Sequence, residues 1–169
     1  MIYSFRNSGF RDPETGVYNQ TYFMEVFNRE WHRHIRDNQS LALLYLYPNI
    51  RETRKHPGLM ELFSKELEKA LLRSSDLIAR MSNECFALGL FNIDIEGTAV
   101  VANRIEENIQ GFIKGFDKDP SIQMNYKLAA CICSPNRDKR IEKLFINTEA
   151  MAQTLTQERD KHSVVGNLQ

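Results

Sequence analysis

The chain has 169 residues, 42% hydrophobic and 26% charged, the proportions of one ordinary globular domain. Acids and bases balance at 22 each, so there is no net basic field to draw nucleic acid or an anionic membrane. That balance does not forbid a local basic pocket for a small phosphorylated ligand. Cys85, Cys131 and Cys133 cannot all pair and lack zinc-site spacing, so they are expected to be buried free thiols of a cytoplasmic protein. No stretch is apolar and long enough to span a bilayer, and Met1 to Phe10 lacks a signal-peptide core. The domain itself is therefore expected to make no membrane contact, although it could be the cytoplasmic part of a larger, membrane-anchored protein.

Residues 1–10 carry little pattern and are expected to form a linker or N-terminal extension, with one domain over 11–169. Asp12-Pro13-Glu14-Thr15-Gly16 predicts a turn. Asn19 is a fitting N-cap for a helix to about Arg36, whose Phe23, Phe27, Trp31 and Ile35 recur every four residues. Trp31 belongs to that core stripe. His32 and His34 face different ways on the helix and make a poor metal pair. Leu41 to Tyr47 is continuously apolar, which predicts a strand covered on both faces and stopped by Pro48-Asn49. Arg51 to His56 predicts a solvated loop.

A second helix is expected from Pro57-Gly58 to about Arg73. Two short strands follow, Asp76 to Met81 and Glu84 to Phe91, with a turn at Ser82-Asn83 in which Asn tolerates a left-handed backbone. A third helix fits Ile95 to about Phe112, then a strand from Tyr126 to Cys133. The last helix fits about Asp138 to Glu158, and Ser163-Val164-Val165 reads as a closing edge strand. This order predicts an α+β fold, a central, mostly antiparallel sheet flanked by helices.

Five segments in register carry a resemblance over roughly residues 11 to 165. Asp12-Pro-Glu-Thr-Gly-Val-Tyr-Asn19, Leu41 to Leu46, Arg73-Ser-Ser-Asp-Leu-Ile-Ala-Arg80, Ser82-Asn83-Glu84-Cys85-Phe86 and Glu149-Ala150-Met151 together resemble the GGDEF family, the diguanylate cyclase domains. The resemblance implies a nucleotidyl cyclase palm-like fold. It also places the degenerate signature at Ser82, Asn83, Glu84, Cys85 and Phe86, where the family has Gly-Gly-Asp/Glu-Glu-Phe. The family holds Mg²⁺ through an acid at the end of its first central strand, and here that place is taken by Tyr47. Asn49 replaces a second acid, the connection after Tyr47 is short, and Leu155 lies where a phosphate-facing Lys is expected. These departures imply no catalytic residues, no metal site, no required cofactor and no Mg²⁺. Neither Glu84 nor Cys85 restores a site: the first reads as a solvent-facing hairpin acid, the second as an unactivated thiol.

A different element survives. Many GGDEF domains bind cyclic di-GMP at an Arg-x-x-Asp motif five residues before the signature. Arg73 and Asp76 match it, and Arg104 matches a second arginine on the following helix. A guanidinium can grip phosphate or the O6/N7 edge of guanine in two places, and a carboxylate accepts from guanine N1–H and N2–H₂. With 13 Arg and 8 Asp in the chain, chance supplies roughly 0.6 such spacings, so the weight rests on position. The bland alternatives are a surface ion pair for Arg73 and Asp76, and an exposed Arg104 pairing with Glu107 or Asn108. The resemblance thus implies a catalytically inactive regulatory module that binds cyclic di-GMP, acting in biofilm or exopolysaccharide signalling. A protein partner and a homodimer or ligand-linked dimer would fit. The alternative is a protein–protein scaffold with no nucleotide ligand.

Overall fold

The computed structural model describes residues 9–168. Most of the expected extension, residues 1–10, lies outside them. Gly9 and Phe10 are against the domain, where Asn19 Nδ2 donates to the Gly9 carbonyl at 3.3 Å and the Phe10 ring meets Tyr22 edge-on at 5.3 Å. Six strands form one mixed sheet: β1 (Tyr18–Asn19), β2 (Leu41–Glu52), β3 (Leu77–Ser82), β4 (Cys85–Phe91), β5 (Ile122–Cys133) and β6 (Ser163–Asn167). Their order is β1-β3-β4-β2-β5-β6. The inner pairings are antiparallel, and the two outer ones, β1 with β3 and β5 with β6, are parallel.

Four helices cover the sheet: α1 (Gln20–Asp37), α2 (Leu59–Ala70), α3 (Ile95–Lys114) and α4 (Ile141–Thr156). The unbroken apolar run of β2 is explained by its two faces. Leu41, Leu43 and Tyr45 join a core with Phe23, Phe27 and Trp31 of α1 and Leu144 of α4. Ala42, Leu44 and Leu46 join a second core with Phe63 and Leu67 of α2 and Ile105 and Ile109 of α3. Asn19 caps α1, its side chain accepting from the Tyr22 amide. All three cysteines are buried and unpaired. No helix among the described residues is long and apolar enough to cross a membrane.

Several boundaries differ from expectation, each for a local reason. β2 does not stop at Pro48 but runs to Glu52 against β5. The Leu128 amide donates outward to His162 O, and the Tyr126 amide is taken by Asn125 Oδ1. By the alternation of an antiparallel ladder, Pro48 opposite Tyr126 therefore turns its nitrogen away from β5. β4 pairs with β2 only as far as Leu46, so the missing N–H costs no ladder bond. β5 correspondingly starts at Ile122 and not Tyr126.

Helix α2 ends at Ala70, before Arg73, because Leu71 turns extended (φ −95°, ψ 102°). Helix α4 is shorter than expected at both ends. The hairpin turn is Asn83–Glu84, one residue later than expected. Asn83 does not adopt the left-handed backbone; among the described residues the non-glycines with positive φ are Asn38 and Asn92. An irregular register between Arg80 and Ser82 supplies the bend instead.

Candidate ligand-binding site

The loop between α2 and β3 folds into a tight turn. The Asp76 amide donates to Arg73 O at 3.1 Å, and the Arg73 amide donates to Asp76 Oδ2 at 3.2 Å. A short carboxylate that closes its own loop in this way fixes the backbone without help from a helix. The Arg73 guanidinium is then pinned from two sides. Nε points at Asp76 Oδ1 at 3.5 Å, Nη1 donates to Asn92 O at 3.3 Å, and Nη2 donates to Phe91 O. One N–H on each terminal nitrogen is left over. The Asp76 side chain is only 4% exposed while that of Arg73 is 44% exposed, so the acid is structural and the arginine is presented outward.

Asp76, Ser74 and Ser75 form one wall of a cleft of about 260 Å³. Arg29, Glu30 and Arg33 of α1 line it as well, with Tyr18 and Tyr22, whereas neither Arg73 nor Arg104 is among its lining residues. Arg33 is held by Glu30, with which it forms a salt bridge and two hydrogen bonds. Arg29 and Arg33 were not singled out from sequence. The signal was there, since they lie four apart on the polar side of a helix. A larger cleft, about 810 Å³, lies between the end of α3 and the start of β5 and contains none of the residues singled out from sequence.

Arg104 behaves differently from either expectation. Its Nη1 donates to Ala70 O at 2.8 Å, satisfying the last carbonyl of α2. This places it at the upstream end of the loop that carries Arg73. No hydrogen bond joins it to Arg73 or Asp76 among the described residues, and Asn103, not Arg104, bonds Glu107.

At the other end of β3, Ser82, Asn83 and Glu84 are exposed, and the Glu84 amide donates to Ser82 Oγ at 3.2 Å. Cys85 is buried, and burial pushes its thiol up to about 12. Phe86 is buried on the opposite face, stacked on Phe63 at 6.0 Å. Tyr47 is half-buried beside Cys85, and burial first, then the neighbouring thiol and Glu149, raise its phenol above its ordinary value. Leu155 is buried. Among the described residues no group of three or more His, Cys, Asp or Glu is arranged to hold a metal ion.

The hairpin is braced by Arg80, whose side chain is 6% exposed. It bonds Asp12 at 3.2 Å and Glu14 at 2.6 Å, and both Ser82 O and Asn83 O at 3.0 Å. It thereby ties the N-terminal turn to the hairpin.

Comparison with solved structures follows the same architecture. A Vibrio cholerae LapD structure spanning S helix, GGDEF and EAL segments and bound to c-di-GMP superposes with a TM-score of 0.73 at 16% identity, over 98% of this chain and 39% of that one. The fold is that of a GGDEF domain. The GGDEF domain of FimX from Pseudomonas aeruginosa matches with a TM-score of 0.70 at 14% identity, over 95% of this chain and 99% of that one. The GGDEF domain of DgcB from Caulobacter crescentus, in complex with c-di-GMP, matches with a TM-score of 0.68 at 13% identity, over 93% and 95%. No protein-family model matches the chain, and no curated protein matches it in sequence. This chain thus spans under half of the LapD structure and nearly all of the two isolated GGDEF domains.

Proposed function

We propose that residues 11–169 form a non-catalytic GGDEF-fold domain that binds cyclic di-GMP through Arg73, with Arg104 at the edge of the same site. Asp76, expected from sequence to accept from guanine, instead uses both oxygens on Arg73 and serves to hold that arginine. The observation that carries this reading is the state of Arg73. Its guanidinium is fixed by Asp76 and by the carbonyls of Phe91 and Asn92, yet is 44% exposed with donors to spare. An arginine already held in place loses little rotamer freedom when it grips phosphate or a guanine edge. Arg29 lines the cleft that Asp76 also lines, while Arg33 there is paired with Glu30. The isolated GGDEF domain of DgcB, of similar fold, is in complex with c-di-GMP.

The chemistry of the hairpin end supports the absence of turnover. Mg²⁺ takes hard oxygen ligands in octahedral geometry. Tyr47 offers a phenol held protonated and Cys85 a neutral thiol, neither of which fits that ion. Glu84 is left alone at the turn, so no step is assigned to a metal here.

Isothermal titration calorimetry with cyclic di-GMP, beside Arg73→Ala and a GTP/Mg²⁺ control, tests the reading. The expected result is micromolar or tighter binding that Arg73→Ala weakens by about ten- to a hundredfold, and no metal-dependent GTP signal. No binding by folded wild-type protein would overturn it. The scaffold reading then stands, favoured by Leu72 and Val100, which are 70% and 58% exposed. In either case the proposed output is a change in contacts with a partner, in biofilm or exopolysaccharide control by analogy of fold.

A further inference from the structure

His34 is fully buried near the end of α1, and both of its ring nitrogens are engaged. Nδ1 lies 2.7 Å from the Glu30 carbonyl, which can only accept, so Nδ1 carries the proton. Nε2 accepts from the Asn92 amide at 2.9 Å. The ring is therefore a neutral imidazole with a fixed tautomer, set by its partners. Asn92 directly follows β4 and turns the chain in a left-handed conformation at φ 52°. Its amide is held by His34, while its carbonyl and that of Phe91 hold the Arg73 guanidinium.

We propose that His34 is a positioning residue for ligand binding: it fixes the Asn92 corner, and the corner's carbonyls fix Arg73. This rests on the cyclic di-GMP reading of Arg73 given above. Protonating Nε2 would put an N–H against the Asn92 N–H. Two donors facing each other in a buried site repel, and the corner must turn or move away. The carbonyls that hold Arg73 move with it. On α1, the charged groups near the ring are Glu30, whose Oε1 lies 3.9 Å from Nδ1, together with Arg33 and Asp37. Across the corner lie Arg73 and Asp76, and Asp94 follows two residues on. The Phe91 ring packs 5.7 Å away.

Burial lowers the His34 pKa, opposed by its bond to the Glu30 carbonyl and by the Glu30 carboxylate. The folded chain therefore favours the neutral ring. That contribution is complete above the ordinary histidine value of about 6.5 and is lost as pH falls below it through the lowered folded value. Ligand affinity is expected to follow the same course, because only the neutral ring holds the corner.

The test uses the full chain and two readouts. First, without ligand, nuclear magnetic resonance follows the His34 ring, the Asn92 amide and Arg73 Nε–H from pH 7.5 to 5; all three are expected to shift with one midpoint. Second, calorimetry with cyclic di-GMP is run over the same range. Wild-type affinity is expected to fall on acidification with the midpoint that the His34 ring itself shows. His34→Gln keeps an acceptor that does not titrate, and is expected to bind as wild type at pH 7.5 with no such fall. His34→Phe is expected to bind about tenfold more weakly at every pH; should it fail to fold, the Gln variant and the resonance data carry the test. An Asn92 amide that ignores the His34 titration, or a Gln variant with the wild-type pH slope, overturns the proposal. Wild-type protein that binds no cyclic di-GMP at any pH overturns the receptor reading instead, and the resonance correlation still decides whether His34 governs the corner.

Discussion

The two ends of β3 are held in opposite ways. At its start, Arg73 and Asp76 are pinned by backbone carbonyls and by each other, with the cation turned outward. At its end, the exposed positions are Ser82, Asn83 and Glu84, while Tyr47 and Cys85 have been absorbed into the core below. One end keeps a charge in a prepared position, and the other has exchanged charge for packing. Each end is held by different neighbours, so a substitution at one end need not disturb the other.

The comparison is most severely broken at Arg80. Arg80→Ala removes a buried cation from Asp12, Glu14 and two hairpin carbonyls, and should cost about 3 kcal/mol, since Glu14 is solvent-exposed and recovers water. Denaturant titration should show this loss, while the folded fraction keeps its cyclic di-GMP affinity. Arg73→Ala should remove about 1.5–3 kcal/mol of binding and lower the melting temperature by less than Arg80→Ala does, because Asp76 and two carbonyls lose a partner.

A smaller effect is expected at Cys85→Ser, which sets a hydroxyl in an apolar place. It should cost about 1 kcal/mol in thermal unfolding and leave ligand affinity untouched. If affinity fell with it, the two ends would be coupled through the strand and the comparison would fail.

The smallest effect concerns His56, which bridges Glu52 at 2.8 Å and Asp119 at 3.2 Å and so ties the tip of β2 to the loop before β5. Its partners' carboxylates raise the His56 pKa, so its contribution is present below the ordinary histidine value and is lost as pH rises through the raised one. Asp119 is lowered to about 2, chiefly by Ser121, so its contribution is present above the ordinary carboxylate value and lost only as pH falls through about 2. Between roughly pH 4 and 6.5 both are charged. The protection factor of the Thr53 amide, which donates to Ser121 O, should fall a few-fold between pH 6 and pH 9, with no change in protection at either end of β3.

What was legible in the chain was local. Asn19 as a cap, the stripe of Phe23, Phe27 and Trp31, and the doubly covered strand from Leu41 follow from spacing alone. The Arg73–Asp76 ion pair is the bland alternative to the motif that the resemblance implied, and its partners are also close in sequence. What spacing did not reveal joins distant segments: Arg80 with Asp12 across 68 residues, and His34 with Asn92 across 58. His34 was weighed only as a metal ligand beside His32, and its true partner is a backbone amide that no side-chain pattern announces. Pro48 misled for a related reason. A proline ends a strand only where its nitrogen faces a partner, and which way it faces depends on a neighbour elsewhere in the chain.

That same proline has a consequence for how the molecule behaves in a crowd. Beyond Leu46, β2 overhangs the sheet with one side unpaired, and a bare strand margin is a template on which another chain can polymerise. Pro48 withholds a donor in the middle of that margin, and charged Arg51 and Glu52 at its tip are exposed. The overhang is thus a poor seed for self-association, and replacing Pro48 with valine should leave the fold intact while making concentrated solutions more prone to aggregate.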